Sequence, residues 1–375
     1  FKMGQTLSEP VTTKESACCK NEMFLVGSSS MQGWRINMED AHTHLLSLPD
    51  DQGTAFFAVY DGHGGAKVSL YAGQNLHKCI SSQPEFNRSE TGEMTAALQK
   101  GFLALDEQMK ADEEMKEDVS GTTAVVVLYK EGVLHCANVG DSRAVLSVNG
   151  RAQPLSYDHK PANEGEAKRI VAAGGWVEFN RVNGNLALSR ALGDFAFKRN
   201  PKKTPEEQMV TAYPDVISER LTPDHEFMIL ACDGIWDVMS NQEVVDFCRE
   251  RLAANKHPKE ICEELLSRCL APDCQMGGLG CDNMTAVLVG LLHNDSEENL
   301  AKRCATPRAP VEDGHGDPTE LYTTPQPSPA IITTAEAADA THADALETRA
   351  DAADSGADAD VDTDDQPPTE FQAHP

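Results

Sequence analysis

Apolar residues along the chain fall in short runs divided by turn signals: Phe24 to Ser28, Ala55 to Tyr60, Thr123 to Tyr129, Val133 to Val139, Ala144 to Val148, Phe227 to Cys232 and Met284 to Leu292. Runs of this length, rich in β-branched and aromatic residues, predict strands. Between them the spacing changes to three and four, as in Leu98, Phe102, Leu105 and Met109, in Val244, Val245, Cys248 and Leu252, and in Ile261, Leu265, Leu266 and Cys269. That period predicts helices. Another helix is predicted over Glu164 to Ala173, with Gly174-Gly175 as a left-handed cap. Three strand runs follow one another between 123 and 148, with turns at Glu131-Gly132 and Gly140-Asp141 that leave no room for helical crossovers. The pattern therefore predicts an α+β fold of antiparallel sheets flanked by helices in one continuous domain.

Beyond residue 293 the pattern stops. Residues 294–375 hold 19 Asp and Glu against 4 Lys and Arg, with Tyr322 and Phe371 as aromatics. Such a segment buries too little apolar surface to offset the entropy of ordering. The expected division is a flexible lead-in over 1–22, a folded domain over 23–293 and an acidic disordered tail over 294–375. In that tail Thr306-Pro307, Thr324-Pro325 and Ser328-Pro329 are candidate sites for proline-directed kinases.

Charge and cysteine usage narrow the function classes. The net charge is −28, and no cluster of Lys and Arg with interleaved aromatics offers a seat for a phosphate backbone, so nucleic acid is excluded as a partner. Eleven cysteines, mostly inside apolar runs, read as a reduced protein of the cell interior. No run of about 18 apolar residues is present to span a bilayer, and a secretory layout is not seen at the N-terminus. The expectation is a soluble cytoplasmic monomer, with the nucleus left open. Met3-Gly4-Gln5-Thr6-Leu7-Ser8 fits an acylation pattern if Met3 is the start, in which case Gly4 carries myristate and Cys18-Cys19 supplies a second membrane anchor.

The acids near the strand ends carry the chemistry. Asp61 follows the run ending at Tyr60, Asp233 follows Cys232, Asp282 precedes the run from Met284, and Glu39-Asp40 closes the segment from Trp34 to Met38. Each one alone is an ordinary turn residue. Together they repel one another and need a cation among them, and an all-oxygen set selects Mg2+ or Mn2+ over zinc. His63, within Asp61-Gly62-His63-Gly64-Gly65, would sit beside such ions as a proton-transfer group. Arg35 offers a planar fork that matches phosphate oxygens, although a surface salt bridge explains it equally well in isolation.

Ten ordered segments then carry a specific resemblance. Met31-Gln32-Gly33-Trp34-Arg35 through Met38-Glu39-Asp40-Ala41-His42, Phe57 to Gly65, Ser120 to Ala124, Asn138 to Arg143, Asp158 to Pro161, Arg181 to Gly184, Leu188 to Asp194, Ala231 to Asp237 and Cys281 to Thr285 resemble the successive motifs of the metal-dependent protein phosphatases of type 2C. The likeness covers roughly residues 23–293. It implies a four-layer αββα sandwich of two antiparallel sheets, with the active site at one end between them. It further implies that Asp61 bridges two ions, that the Gly62 carbonyl, Glu39, Asp233 and Asp282 complete their ligands, and that Asp40 lies just behind. Asp141 and Asp237, with Asp233, match positions that hold a weaker third ion in some relatives. Arg35 resembles the phosphate-binding arginine and His63 the general acid.

What this implies is a protein serine/threonine phosphatase that hydrolyses phosphoproteins with water activated by two Mg2+ or Mn2+ ions and without a covalent phosphoenzyme. Residues 179–203 would form a flap beside the site, its basic residues read as a solvated face. Three other readings compete. Cys262 and Arg268 satisfy a Cys-x5-Arg spacing, but six residues on a helix place them about 120° apart, so Cys262 reads as core. Cys269, Cys274 and Cys281 could be drawn as a zinc trio, yet they lack a paired CxxC and a fourth ligand. A catalytically weak scaffold is the remaining alternative, disfavoured because Glu39, Asp61, Asp233 and Asp282 are all present.

Overall fold

The computed structural model describes residues 6–87, 91–274 and 278–308. Gly4, and the acidic segment from 309 to 375 with Thr324-Pro325 and Ser328-Pro329, lie outside the described residues.

Two antiparallel sheets form the framework. One has the strand order Thr6–Lys20, Phe24–Arg35, Met284–Leu291, His225–Ala231, Arg143–Val148 and Arg151–Pro154. The other runs Asp215–Arg220, Val133–Val139, Ala124–Lys130, Ala55–Tyr60 and Ala41–Leu45. Strand 55–60 is buried throughout, and its alternation is resolved by the two layers it serves. Ala55, Phe57 and Val59 fill the core between the sheets, while Phe56, Ala58 and Tyr60 pack outward against helices Lys67–Ser81 and Thr91–Ala111. Strand 225–231 divides in the same way. Met228 and Leu230 face the central core, whereas Phe227 and Ile229 meet helices Asn241–Ala253, Pro258–Cys269 and Glu297–Ala305. Helix, sheet, sheet, helix is the αββα order expected.

A smaller lobe carries helix Glu164–Ala172 and the hairpin of Val177–Glu178 with Arg181–Val182, packed on its own cluster of Ile170, Val182, Ala191 and Val210. Gly174 ends the helix at φ +93°, the left-handed cap the sequence predicts.

Three expectations need correction. The predicted lead-in contains strand Thr6–Lys20, paired with Phe24–Arg35 from Lys20↔Leu25 to Thr6↔Arg35. Its polar, largely exposed residues suit a sheet edge, where backbone pairing rather than an apolar run holds the strand. The predicted tail begins with helix Glu297–Ala305, capped by Ser296 and docked through buried Leu300, Ala301 and Cys304. Averaging its acids with those farther along hid that short stripe. Finally, the cysteines are not all thiols, because Cys274 and Cys281 form a disulfide.

Candidate metal and phosphate site

The antiparallel registers bring the predicted acids to one end of the sandwich. Met284 pairs with Met31 and Ala231 with Ala286 and Arg143, so the end of strand 24–35, the start of 284–291 and the end of 225–231 coincide. In the other sheet Tyr60 pairs with Ala41 and Val59 with Val125. Asp61, Asp233 and Asp282 therefore emerge together, with Glu39 and Asp40 entering from the loop before Ala41.

Backbone packing fixes this loop tightly. A Cβ on Gly62 would fall 2.1 Å from the Glu39 carbonyl oxygen, so only glycine lets the segment after Asp61 run beside Glu39. The Glu39 N–H donates to Asn283 Oδ1 at 2.9 Å, and the Asn283 amide donates to the Gln32 and Asn37 carbonyls at 2.8 and 3.0 Å. Asn283 thereby ties the Arg35–Glu39 loop to the turn bearing Asp282. Thr285 donates to Asp40 Oδ2 at 2.7 Å, while Asp40 Oδ1 is buried without a partner among the described residues. Asp40, Asp61 and Cys232 bring ligand atoms within 4.8 Å of one another.

Electrostatics marks the same place. Burial, followed by repulsion from Asp233, Asp40, Asp282 and Asp141, holds the Asp61 carboxyl well above the usual carboxylate range. Burial and the neighbours Asp141, Asp282 and Asp237 do the same to Asp233. Asp40 is pushed up to about 7, chiefly by burial. Carboxyls that crowd and resist ionisation are a fitting donor set for hard divalent cations, which supply the missing positive charge. Asp237, at the exposed end of the short helix Asp233–Trp236, is raised by burial and by Asp141.

Cationic groups stand around the rim. Arg35 forms a salt bridge with Asp282 and feels Asp233 and Asp61 as well, which outweighs burial and raises its pKa. Lys160 donates to Asp141. His63 Nε2 lies 2.7 Å from Asp194 Oδ2. Burial pulls the His63 pKa down, but the Asp194 charge and hydrogen bond outweigh it and raise the pKa overall. Asp194 is held at φ 51°, and a Cβ on Gly121 would strike both its carboxylate and the His63 ring, so that glycine makes room for the pair. Asp194 and Lys160 lie within the motifs named above but carry no role that the sequence predicts, because a pairing across 131 residues, as between His63 and Asp194, has no local signature.

The cysteine alternatives are settled by packing. Cys262 is fully buried on the apolar stripe of helix 258–269, its thiol near the Gly27 carbonyl and pushed up to about 12 by burial. Cys269 belongs to the same outer core, whereas Cys274 and Cys281 are bonded to each other, so the zinc trio does not exist.

With this geometry in place, residues 24–276 match the family model described as Protein phosphatase 2C. The chain belongs to the protein phosphatase 2C family. A probable protein phosphatase 2C of Caenorhabditis elegans is 72% identical over 305 residues, covering 81% of this chain and 85% of that protein. Protein phosphatase 2C homolog 3 of Schizosaccharomyces pombe is 50% identical, covering 85% of this chain and 76% of its own length. Among solved structures, a phosphatase from Toxoplasma gondii aligns with a TM-score of 0.64 and 28% identity, over 76% of this chain and 96% of that one. As a protein phosphatase 2C, the chain is a hydrolase of phosphoserine and phosphothreonine in proteins, and its acidic cluster is a candidate cation site.

Proposed function

We propose that phosphoprotein hydrolysis takes place at the acidic end of the sandwich, with Asp61, the Gly62 carbonyl, Glu39, Asp233 and Asp282 holding two Mg2+ or Mn2+ ions. Asp141 and Asp237 extend the set toward a weaker third ion, and Asp40 supports it from behind through Thr285. Ions held there would activate a water for attack on phosphorus and would neutralise phosphate charge, which leaves the chain's own residues no need to form a phosphoenzyme. The observation that carries this reading is the convergence of Asp61, Asp233 and Asp282 at one end of the sandwich, beside an Asp40 whose buried Oδ1 has no partner among the described residues and whose carboxylate lies within 4.8 Å of the Asp61 carboxylate and the Cys232 thiol.

The remaining groups serve the phosphate and the leaving group. Arg35, half-exposed at the rim, presents its guanidinium to phosphate oxygens once Asp282 is engaged. His63 commits Nε2 to Asp194, which leaves Nδ1 to give a proton to the departing Ser or Thr oxygen. Asp194 orients the ring and stabilises its charged form. The intact ligand set disfavours a scaffold without activity.

The test is phosphate release from a phosphothreonine peptide with Mn2+ or Mg2+, then after chelation, with Asp233→Asn in parallel. Metal-dependent release that falls by about two orders of magnitude or more in Asp233→Asn is expected. A folded, Mn2+-binding wild-type chain that releases no phosphate would replace this reading with the scaffold.

A further inference from the structure

Trp34, Cys274 and Cys281, backed by Leu270 and Ala271, form a small cluster of their own. The backbone brings Cys274 and Cys281 to a Cα–Cα distance of 5.9 Å, within bridging reach, and the two are joined. Cys281 directly precedes Asp282, and Trp34 directly precedes Arg35. The Trp34 indole N–H donates to the Ala271 carbonyl at 2.9 Å, and the Ala271 N–H donates to the Gly280 carbonyl at 2.9 Å. A Cβ on Gly33 would lie 2.7 Å from the Asp282 carbonyl oxygen, so the two segments run in close contact. The bond thus ties the turn that bears Asp282 to the 270–274 segment, to which Trp34, the neighbour of Arg35, is hydrogen-bonded.

Both cysteines are buried, Cys274 at 3% and Cys281 at 8% exposure, so a reagent reaches the pair only through the opening beside Cys274. A cavity of about 460 Å3 opens beside Cys274, lined by it, Asp273, Pro272, Trp34 and the strand start at 6–8. Of the nine free cysteines Cys18 is exposed and Cys19 partly so, while the other seven are buried.

We propose that Cys274 and Cys281 are a reversible redox modification site, oxidised by a peroxide and reduced by a dithiol, whose closed form holds Asp282 and Arg35 in register for cation and phosphate binding. In the forward direction hydrogen peroxide oxidises one thiol to a sulfenic acid and leaves as water. The second thiol attacks that sulfur, the S–S bond forms, and the sulfenic oxygen departs with two protons as a second water. A dithiol reverses the bond by exchange and becomes a disulfide itself. Closing the loop removes conformations in which Asp282 swings away from Asp61 and Asp233, so cation binding is tighter in the oxidised form. The effect on the site rests on the role proposed for Asp282; the modification itself does not.

The experiment uses the full chain, treated either with dithiothreitol or with one equivalent of hydrogen peroxide, then alkylated and digested without reduction. Mass spectrometry is expected to find the Cys274–Cys281 linkage after peroxide and two alkylated cysteines after dithiothreitol. Mn2+ titration, followed by the signal of the free ion, is expected to show severalfold weaker binding in the reduced chain. A Cys274→Ser/Cys281→Ser variant should bind Mn2+ like reduced wild type and ignore peroxide, whereas Cys18→Ser/Cys19→Ser should respond as wild type does. Absence of the linkage after peroxide overturns the site, and a linkage that leaves Mn2+ affinity unchanged overturns the coupling. A peroxide response of Mn2+ binding that persists in the Cys274→Ser/Cys281→Ser variant assigns the effect elsewhere and overturns the coupling. Failure of the phosphatase reading is separable, since it would appear as Mn2+ binding without phosphate release.

Discussion

Where the helix of the smaller lobe meets the start of strand 215–220, Glu166 accepts from Arg190 at 2.8 Å and Arg169 at 2.9 Å, while Asp215 accepts from Arg190 at 2.7 Å and pairs with His159 at 3.0 Å. At the end of the sandwich, Asp61 is crowded by Asp233 and Asp40, with Lys160 and Arg35 bound to Asp141 and Asp282 beside them. Both places bury carboxyls in the same fold. In the first, burial alone would raise the Glu166 pKa, but hydrogen bonds from two arginines bring it down to about 2. In the second, burial acts without a matching cation, and Asp40 rises to about 7 while Asp61 and Asp233 are held well above the carboxylate range. The difference lies in where the positive charge comes from. One cluster carries its own and works as a structural clamp, whereas the other waits for charge from solution.

Substitution should therefore have opposite consequences at the two clusters. Glu166→Gln removes one partner of a buried ion network and leaves Arg169 and Arg190 facing each other, at a cost of about 3–5 kcal/mol in unfolding free energy. Urea melts would measure it, and a loss below ~1 kcal/mol would break the comparison on the clamp side. The clamp also has a pH signature. Because the folded Glu166 pKa lies below its ordinary value of 4.5, its contribution is fully present above that value and is lost as pH falls toward 2. Glu166→Gln should flatten the acid limb of the stability profile between those values.

A catalytic substitution sharpens the contrast on the other side. His63→Ala should slow phosphothreonine peptide hydrolysis by about 10²-fold or more, since an alkoxide leaves poorly without a proton. An aryl phosphate, whose leaving group needs less help, should lose far less. Equal losses on both substrates would remove His63 from the acid role. The smallest effect expected is at Cys262, where Cys262→Ala should leave turnover near wild type and cost stability alone, as a buried core residue would.

Much of this was legible in the sequence, for physical reasons that differ by residue. Asp61, Asp233 and Asp282 could be read because they punctuate apolar strands, and antiparallel pairing has to gather such ends. The layers followed from runs like 55–60, too short for a helix and too apolar for a surface strand. Strand Thr6–Lys20 was illegible because its order comes from a partner strand rather than from its own alternation. The His63–Asp194 pair, the Asn283 tie and the Cys274–Cys281 bond depend on distances across loops that spacing alone does not encode.

Without a divalent cation, the acid cluster at the sandwich end is short of positive charge. Thermal melting of metal-free wild type and Asp233→Asn, each with and without Mn2+, tests it most directly. Removing one repelling carboxylate should raise the melting temperature of the metal-free chain above that of wild type, while Mn2+ should raise wild type strongly and the variant little. A metal-free variant that melts below wild type and still gains the full Mn2+ shift would contradict the account.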